Sequence, residues 1–313
     1  GSGLDIEGII SSLMAAERIP LTKVSQERTA INTKISIYGI IKNSFADLKS
    51  AADKLSNLSN LNPLKVTSSD DKQVGATASP TAAKGTYSIQ VSQLAKAQSV
   101  AAPSVATADT NVGTGSLTIT LGSYDSGTNT FTNNADKTPV TINIGTGQQT
   151  LEGIRQAIND SNAGVNASII NDGNGSRLVL TSKDTGAVNG FKLEVADADG
   201  NNTDTAGLSR LAFDPTAAVG AGKNASSLQV AQNANFTINN LAVSKASNTV
   251  TDAVQGLTLN LKAVTTTAVN LEVGLDDTAL KTTLDGFVAA YNKIRGNLKD
   301  QQQKDATLSK ETT

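Results

Sequence analysis

The chain has 313 residues, a formal net charge of −2 and only 3% aromatic residues, with no Trp. It therefore offers neither the basic field nor the stacking platforms expected of a nucleic-acid or anionic-membrane binder. With no Cys and no His, disulfides, thiol nucleophiles, His-dependent triads and ordinary zinc sites are excluded together. The length leaves room for about two or three domains. No stretch approaches the roughly 18 uninterrupted apolar residues of a membrane-spanning helix, so membrane insertion is not expected. The N-terminal stretch, with Asp5 and Glu7 and no basic run before Ile9, does not read as a secretory signal. On these rules alone the expected location is the cytoplasm.

In chain order, Gly1 to Ile19 reads as a short amphipathic helix closed by Pro20, with Leu4, Ile9, Ile10, Leu13 and Met14 on one face. That face is large for so short an element, so it is expected to meet either its own stalk or another subunit. From Thr22 to Asn60, the residues Tyr38, Ile41, Phe45, Leu48, Ala52 and Leu55 recur at spacings of three and four, the seam of a helix that wants a partner helix. Val24, Ile31 and Ile35 begin the seam less cleanly, and Gly39 weakens it. Asn62 and Pro63 end it, because the residue before proline is pushed out of the helical region.

The partner lies more than two hundred residues away. From Thr278 to Lys299, the residues Leu280, Leu284, Phe287, Tyr291, Ile294 and Leu298 keep the same spacing, and Asp276 and Asp277 stand where an N-cap is favoured. A coiled-coil-like stalk built from both chain ends, residues 1–63 and 276–313, is the expectation. The alternative is two unrelated surface helices, each packed on its own sheet.

After Pro63 the texture changes to Ser, Thr, Asn, Gly and Ala with short alternating apolar runs. Val74–Ser79 and Thr86–Leu94 read as strands, and Ala95–Asn111 as a linker. Further strands are expected at Leu117–Leu121, Val140–Ile144, Val165–Ile170, Leu178–Thr181 and Phe191–Val195. One helix, Leu151–Asp160 with Thr150 as N-cap, lies among them. Asp172–Ser176 reads as a hairpin turn and Asp197–Gly222 as a long surface loop. Strands resume at Leu228–Ala231, Phe236–Ile238, Leu241–Val243, Leu257–Leu261 and Val269–Val273, with a short helix at Val250–Val254. In plan this block is similar to Ser116–Ile170, which suggests two related modules. The fold class is thus multidomain α+β. Two β-rich head domains are nested in the stalk: 64–111 with 227–275, and 112–226 inserted into it.

Three stretches invite a chemical reading. Gly145–Thr150 sits between strand and helix like a phosphate loop, but it lacks a third glycine and a following Lys-Ser/Thr pair. Asp197–Asp204 alternates oxygen ligands like a calcium loop, yet Asn202 and Leu208 occupy the positions that need Gly and Glu. Asp276 and Asp277 diverge at a helix start, so capping explains them better than acid–base chemistry. The expectation is no catalytic residue, no metal, no cofactor and no enzymatic activity.

Several segments resemble one family. Gly1–Ile6, Lys34–Lys42 and Gly85–Gln98 are similar to flagellar filament cap proteins, the FliD hook-associated family. Leu151–Asn159 with Gly164–Ile170 is similar to a module shared with flagellins, and Phe287–Asn292 resembles the start of the family's C-terminal half. Family members continue there with a long helical part, so a chain shortened at its C-terminus is expected. The resemblance implies a homo-oligomeric ring at the distal, extracellular tip of the flagellum, which retains flagellin and guides its incorporation. It implies export without a cleaved signal peptide, which replaces the cytoplasmic expectation. Flagellin, further copies of the chain and an export chaperone are the implied partners. Among alternative readings, an adhesive tip protein would use the Ser/Thr/Asn-rich head to bind host mucin or cell-surface glycans, and a nucleotide enzyme would use Gly145–Thr150.

Overall fold

The computed structural model describes residues 5–303. The chain divides into two compact units, one holding both chain ends up to Leu64 and from Leu275, the other spanning Lys65–Gly274.

The first unit is helical. Helix α1 runs from Ile6 to Ser56, a four-residue α2 covers Leu58–Leu61, and α4 covers Asp277–Gln303. Asp5 caps α1 by accepting from the Gly8 amide at 2.8 Å, and Asn57 closes it in extended conformation. Pro20 does not end the helix, contrary to the expectation from sequence. Proline removes one hydrogen bond to the residue four before it, and on an exposed helix water can take that carbonyl. Two residues on, the Thr22 hydroxyl donates to the Arg18 carbonyl at 3.0 Å. Asp276 caps α4, accepting from the Ala279 amide at 3.0 Å, while its own amide donates to the Pro63 carbonyl at 2.7 Å. Contacts of Asp47 with Lys293 and of Ser44 with Asn297 descend along α4 as they climb α1. The stalk helices are therefore antiparallel.

The second unit is a set of antiparallel sheets. In chain order its strands begin with β1 (Leu64–Ser68), β2 (Val74–Ala78), β3 (Gly85–Gln93), β4 (Ser99–Ala101), β5 (Gly115–Asp125), β6 (Thr130–Asn133) and β7 (Val140–Ile144). Helix α3 (Leu151–Asp160) follows. Then come β8 (Val165–Asn171), β9 (Ser176–Ser182), β10 (Gly190–Asp197), β11 (Ser226–Gln229), β12 (Ala234–Ile238), β13 (Leu241–Lys245), β14 (Thr249–Val254), β15 (Leu257–Leu261) and β16 (Val269–Leu275). One sheet has the order β1-β16-β3-β12-β13 and another β14-β15-β2. A third runs β11-β4-β9-β8, and in the fourth β5 pairs with β10, β6 and β7.

Two hydrophobic cores result. The alternating residues of β3, β12, β15 and β16, among them Ile89, Phe236, Leu259 and Leu271, form one. In the other, Ile154 and Ile158 of α3 meet Leu117, Leu178, Phe191 and Leu193. Val100, Ala102 and Val105 belong to this second core, within the stretch that reads in sequence as a linker. Val250–Val254, expected as a short helix, is a strand: Val250 pairs with Leu259, and its β-branched neighbours suit a pleated surface. The similarity of plan with Ser116–Ile170 disappears with that helix. The expected loop after Asp197 holds a 3₁₀ turn, Leu208–Leu211, that buries Leu208 and Leu211. Isolated apolar residues without a period give no signal in sequence.

Candidate functional site

The two loops with a possible chemistry are closed by hydrogen bonds within the head. At the start of α3 the Leu151 and Glu152 amides donate to the Thr110 and Ala108 carbonyls, and Gly153 to the Thr150 hydroxyl at 3.1 Å. The amides a phosphate would need are already used. In the acidic loop, Asp197 accepts from the Ser209 amide at 2.8 Å and Asp199 from the Asn201 amide at 2.8 Å. Asp204 accepts from the Ala206 amide at 3.1 Å. The carboxylates fold the loop rather than converge on a point. Among the described residues no cluster of three or more Asp or Glu side chains could hold a metal.

Titration follows the same pattern of local structure. The Asp125 carboxyl is held below its ordinary value by the Gly127 amide and then the Thr128 hydroxyl. Asp172 is lowered by the Asn174 amide and then by Arg177, and Asp252 by Lys245. Asp125 ends β5, Asp172 stands in the turn after β8, and Asp252 lies within β14.

The helical unit is different, because there the surface is unfinished. The row of α1 that turns toward α4 holds Ile37, Ile41, Ser44, Leu48, Ala51 and Leu55, all buried or half-buried. Its counterpart on α4 holds Leu280, Thr283, Phe287, Ala290, Ile294 and Asn297. Among the described residues of α1 and α4 only Ile37, Ser44 and Ile294 are fully buried. Of the seam read from sequence, Ile41, Leu48, Leu55, Leu280, Phe287 and Ile294 lie in these rows. Tyr38, Phe45, Leu284, Tyr291 and Leu298 lie one position to the side and are exposed, Phe45 at 55% and Tyr291 at 50%.

The displaced residues share one flank. In an antiparallel pair, positions one step past the contact row on each helix fall on the same side. Phe45, Leu48, Tyr291, Ile294 and Leu298, with Arg295 and Lys299, line a groove of about 490 Å³ there. On the other flank Ser50, Ala51, Thr283, Gly286 and Ala290, with Asp47 and Lys54, line a smaller groove of about 310 Å³. One flank is bulky and apolar, the other small and polar.

The apolar character continues toward the N-terminus. Ile9, Ile10, Leu13 and Met14 are exposed, as are Val24, Ile31 and Ile35. Leu4 lies outside the described residues. At 1.5 Å per residue α4 spans about 40 Å and α1 about 75 Å, so α4 can flank only about half of α1. Single exposed apolar residues are ordinary, but a continuous row on one helix flank marks a surface meant to be covered.

Comparison with known proteins gives the row a setting. Residues 2–98 match the family model described as the N-terminus of flagellar hook-associated protein 2, and residues 231–313 match that of its C-terminus. Residues 118–184 match the flagellin hook IN motif. The chain is 36% identical to flagellar hook-associated protein 2 of Escherichia coli K12 over 94% of its own length and 59% of the relative's. Against the A-type protein of Pseudomonas aeruginosa the figures are 34%, 94% and 61%. The chain thus spans about three-fifths of these relatives. Among solved structures, the D1-D2-D3 domains of the flagellar cap protein FliD from Escherichia coli superpose with a TM-score of 0.74 at 32% identity, over 88% of this chain and 73% of that one. FliD from Pseudomonas aeruginosa PAO1 gives 0.59 at 34%, over 74% and 97%.

Proposed function

The chain belongs to the flagellar hook-associated protein 2 family, the FliD cap proteins, and from that premise we propose that it acts as a structural subunit of a filament cap. In this reading several copies assemble at the distal tip of the flagellum, outside the cell, and hold emerging flagellin until it enters the filament. No bond is made or broken in this reading, and the amides and carboxylates of the two loops are bonded within the head.

The observation that carries the reading is the unfinished flank of the stalk. A helix pair that fully buries three side chains gains little from packing, and isolated helices are marginal in water. Covering Phe45, Leu284, Tyr291 and Leu298 would add the apolar burial that the pair lacks. We assign that flank to assembly, with stalk helices of the same or a neighbouring subunit as its cover. Ile9, Ile10, Leu13 and Met14 are assigned to contact with flagellin or a second subunit. The head serves as the spacer between copies, in two nested modules that follow its two cores.

The test uses cells lacking their cap gene, supplied with the gene that encodes this chain. Flagellin free in the medium is measured against flagellin in filaments. Leakage should fall and filaments should grow. Persistent leakage although the protein is exported would make it another axial or adhesive protein.

A further inference from the structure

We propose that the two cores of the head are clamped into one rigid body by the short segment between β9 and β10, residues 183–189. The inference does not depend on the cap reading. It rests on where the chain passes from one core to the other. Ala95 and Ala234 belong to the core around Phe236, Val100 and Ala225 to the core around Phe191. Only two stretches therefore join the cores, one between β3 and β4 and one between β11 and β12. Two such crossings ordinarily make a hinge, and relative motion of the parts is the usual expectation.

Here the backbone at the heart of both crossings is paired. The Lys96 amide donates to the Gln232 carbonyl at 2.9 Å, and the Gln232 amide donates back to Lys96 at 3.1 Å. Ala95 is gripped from the side by Asn248, whose Oδ1 accepts from the Ala95 amide at 2.7 Å and whose Nδ2 donates to the Ala95 carbonyl at 2.9 Å. Gln98 does the same to Phe191 of β10, at 3.0 Å and 2.8 Å. A hinge absorbs motion by changing φ and ψ, and each change here would break a paired group.

Residues 183–189 close the junction. The Gly186 amide donates to the Lys96 carbonyl at 3.2 Å, the Ala187 amide to Asn233 Oδ1 at 2.8 Å, and the Thr185 hydroxyl to the Ala246 carbonyl at 2.7 Å. One short segment beside the Phe191 core thus holds both crossings and also Ala246, just past β13 beside the Phe236 core. Gly186 is required for this. Its φ is +103°, and a Cβ there would stand 2.6 Å from Ala246 Cα and 2.7 Å from the Ala246 carbonyl oxygen. Any side chain would push the cores apart.

The chain has no Cys, so two labels can be placed without background. Asn166→Cys on β8 and Asn270→Cys on β16 are exposed and report one from each core. Pulsed electron spin resonance then gives the distribution of distances between them. The parent should show one narrow peak. Gly186→Val, and separately Thr185→Val with Asn233→Ala, should broaden it at least about twofold while hydrogen exchange shows both cores intact. The double change adds no bulk, so it keeps the test open if Gly186→Val does not fold. A broad or multiple distribution in the parent would overturn the proposal. So would an unchanged width in the folded variants.

Discussion

Asn297 Nδ2 donates a 2.7 Å hydrogen bond to the Ser44 hydroxyl in the middle of the α1–α4 contact, and that hydroxyl in turn donates to the Ile40 carbonyl at 2.8 Å. Ser44 is 1% exposed. A polar pair inside an apolar row contributes little net stability but penalises every register in which its members do not meet. Ser44→Ala should cost about 1–2 kcal/mol, because the Asn297 amide loses its partner without regaining full hydration. Ser44→Ala with Asn297→Leu should recover most of that loss in urea melts. Disulfide trapping between added cysteines should then find shifted registers that the parent excludes.

Seam and flank should respond differently to substitution. Ile294 is 5% exposed, so Ile294→Ala should destabilise the stalk by about 2–4 kcal/mol, through lost transfer energy and a cavity. Phe45→Asp should change the melting of this chain by no more than about 0.5 kcal/mol, since the new charge would stand in water. A large loss from Phe45→Asp would place that residue in the stalk interior.

Gln98 should be a stability determinant of the head although it is a neutral polar residue. Its side chain pairs both backbone groups of Phe191, itself fully buried. Gln98→Ala would orphan an amide and a carbonyl and should cost about 2–4 kcal/mol in denaturant melts. Gln98→Glu should be worse, because a carboxylate cannot donate to the Phe191 carbonyl and would be a buried charge held by the Phe191 amide alone.

Acid should loosen the turns before the cores. Asp125, Asp172 and Asp252 titrate below their ordinary values in the folded chain. A depressed carboxyl contributes stability above its unfolded value, about 3.9, and that contribution is lost as pH falls through the folded value. Amide exchange at Gly127 and Asn174 should therefore accelerate below about pH 4 ahead of exchange in β5 and β9. Simultaneous acceleration in turns and strands would contradict this.

Sequence reading reached the elements wherever one period dominated. The α3 helix and its Thr150 cap follow from Leu151, Ile154 and Ile158 on one face with an acceptor before them. The stalk pairing followed too, because both helices carry three-four spacing. The side that turns inward was harder to read. Ser44, Ala51, Thr283, Ala290 and Asn297 are small or polar, so a hydrophobic pattern slides to the bulkier neighbours Phe45, Leu284, Tyr291 and Leu298. The two adjacent stripes merge in sequence, and only packing separates them. The junction at Gly186 carried no signal at all, since its partners lie 46 to 90 residues away in sequence and are mostly backbone atoms.

The central claim is that the bulky flank of the stalk is the surface through which the cap assembles. The most direct measurement returns the encoding gene to cap-deficient cells, unchanged or carrying Phe45→Ser with Tyr291→Ser, and compares flagellin in the medium with flagellin in filaments. The account predicts retention with the unchanged gene, and leakage with the variant even though it is exported and folded. Retention by the variant equal to that of the unchanged protein would contradict it.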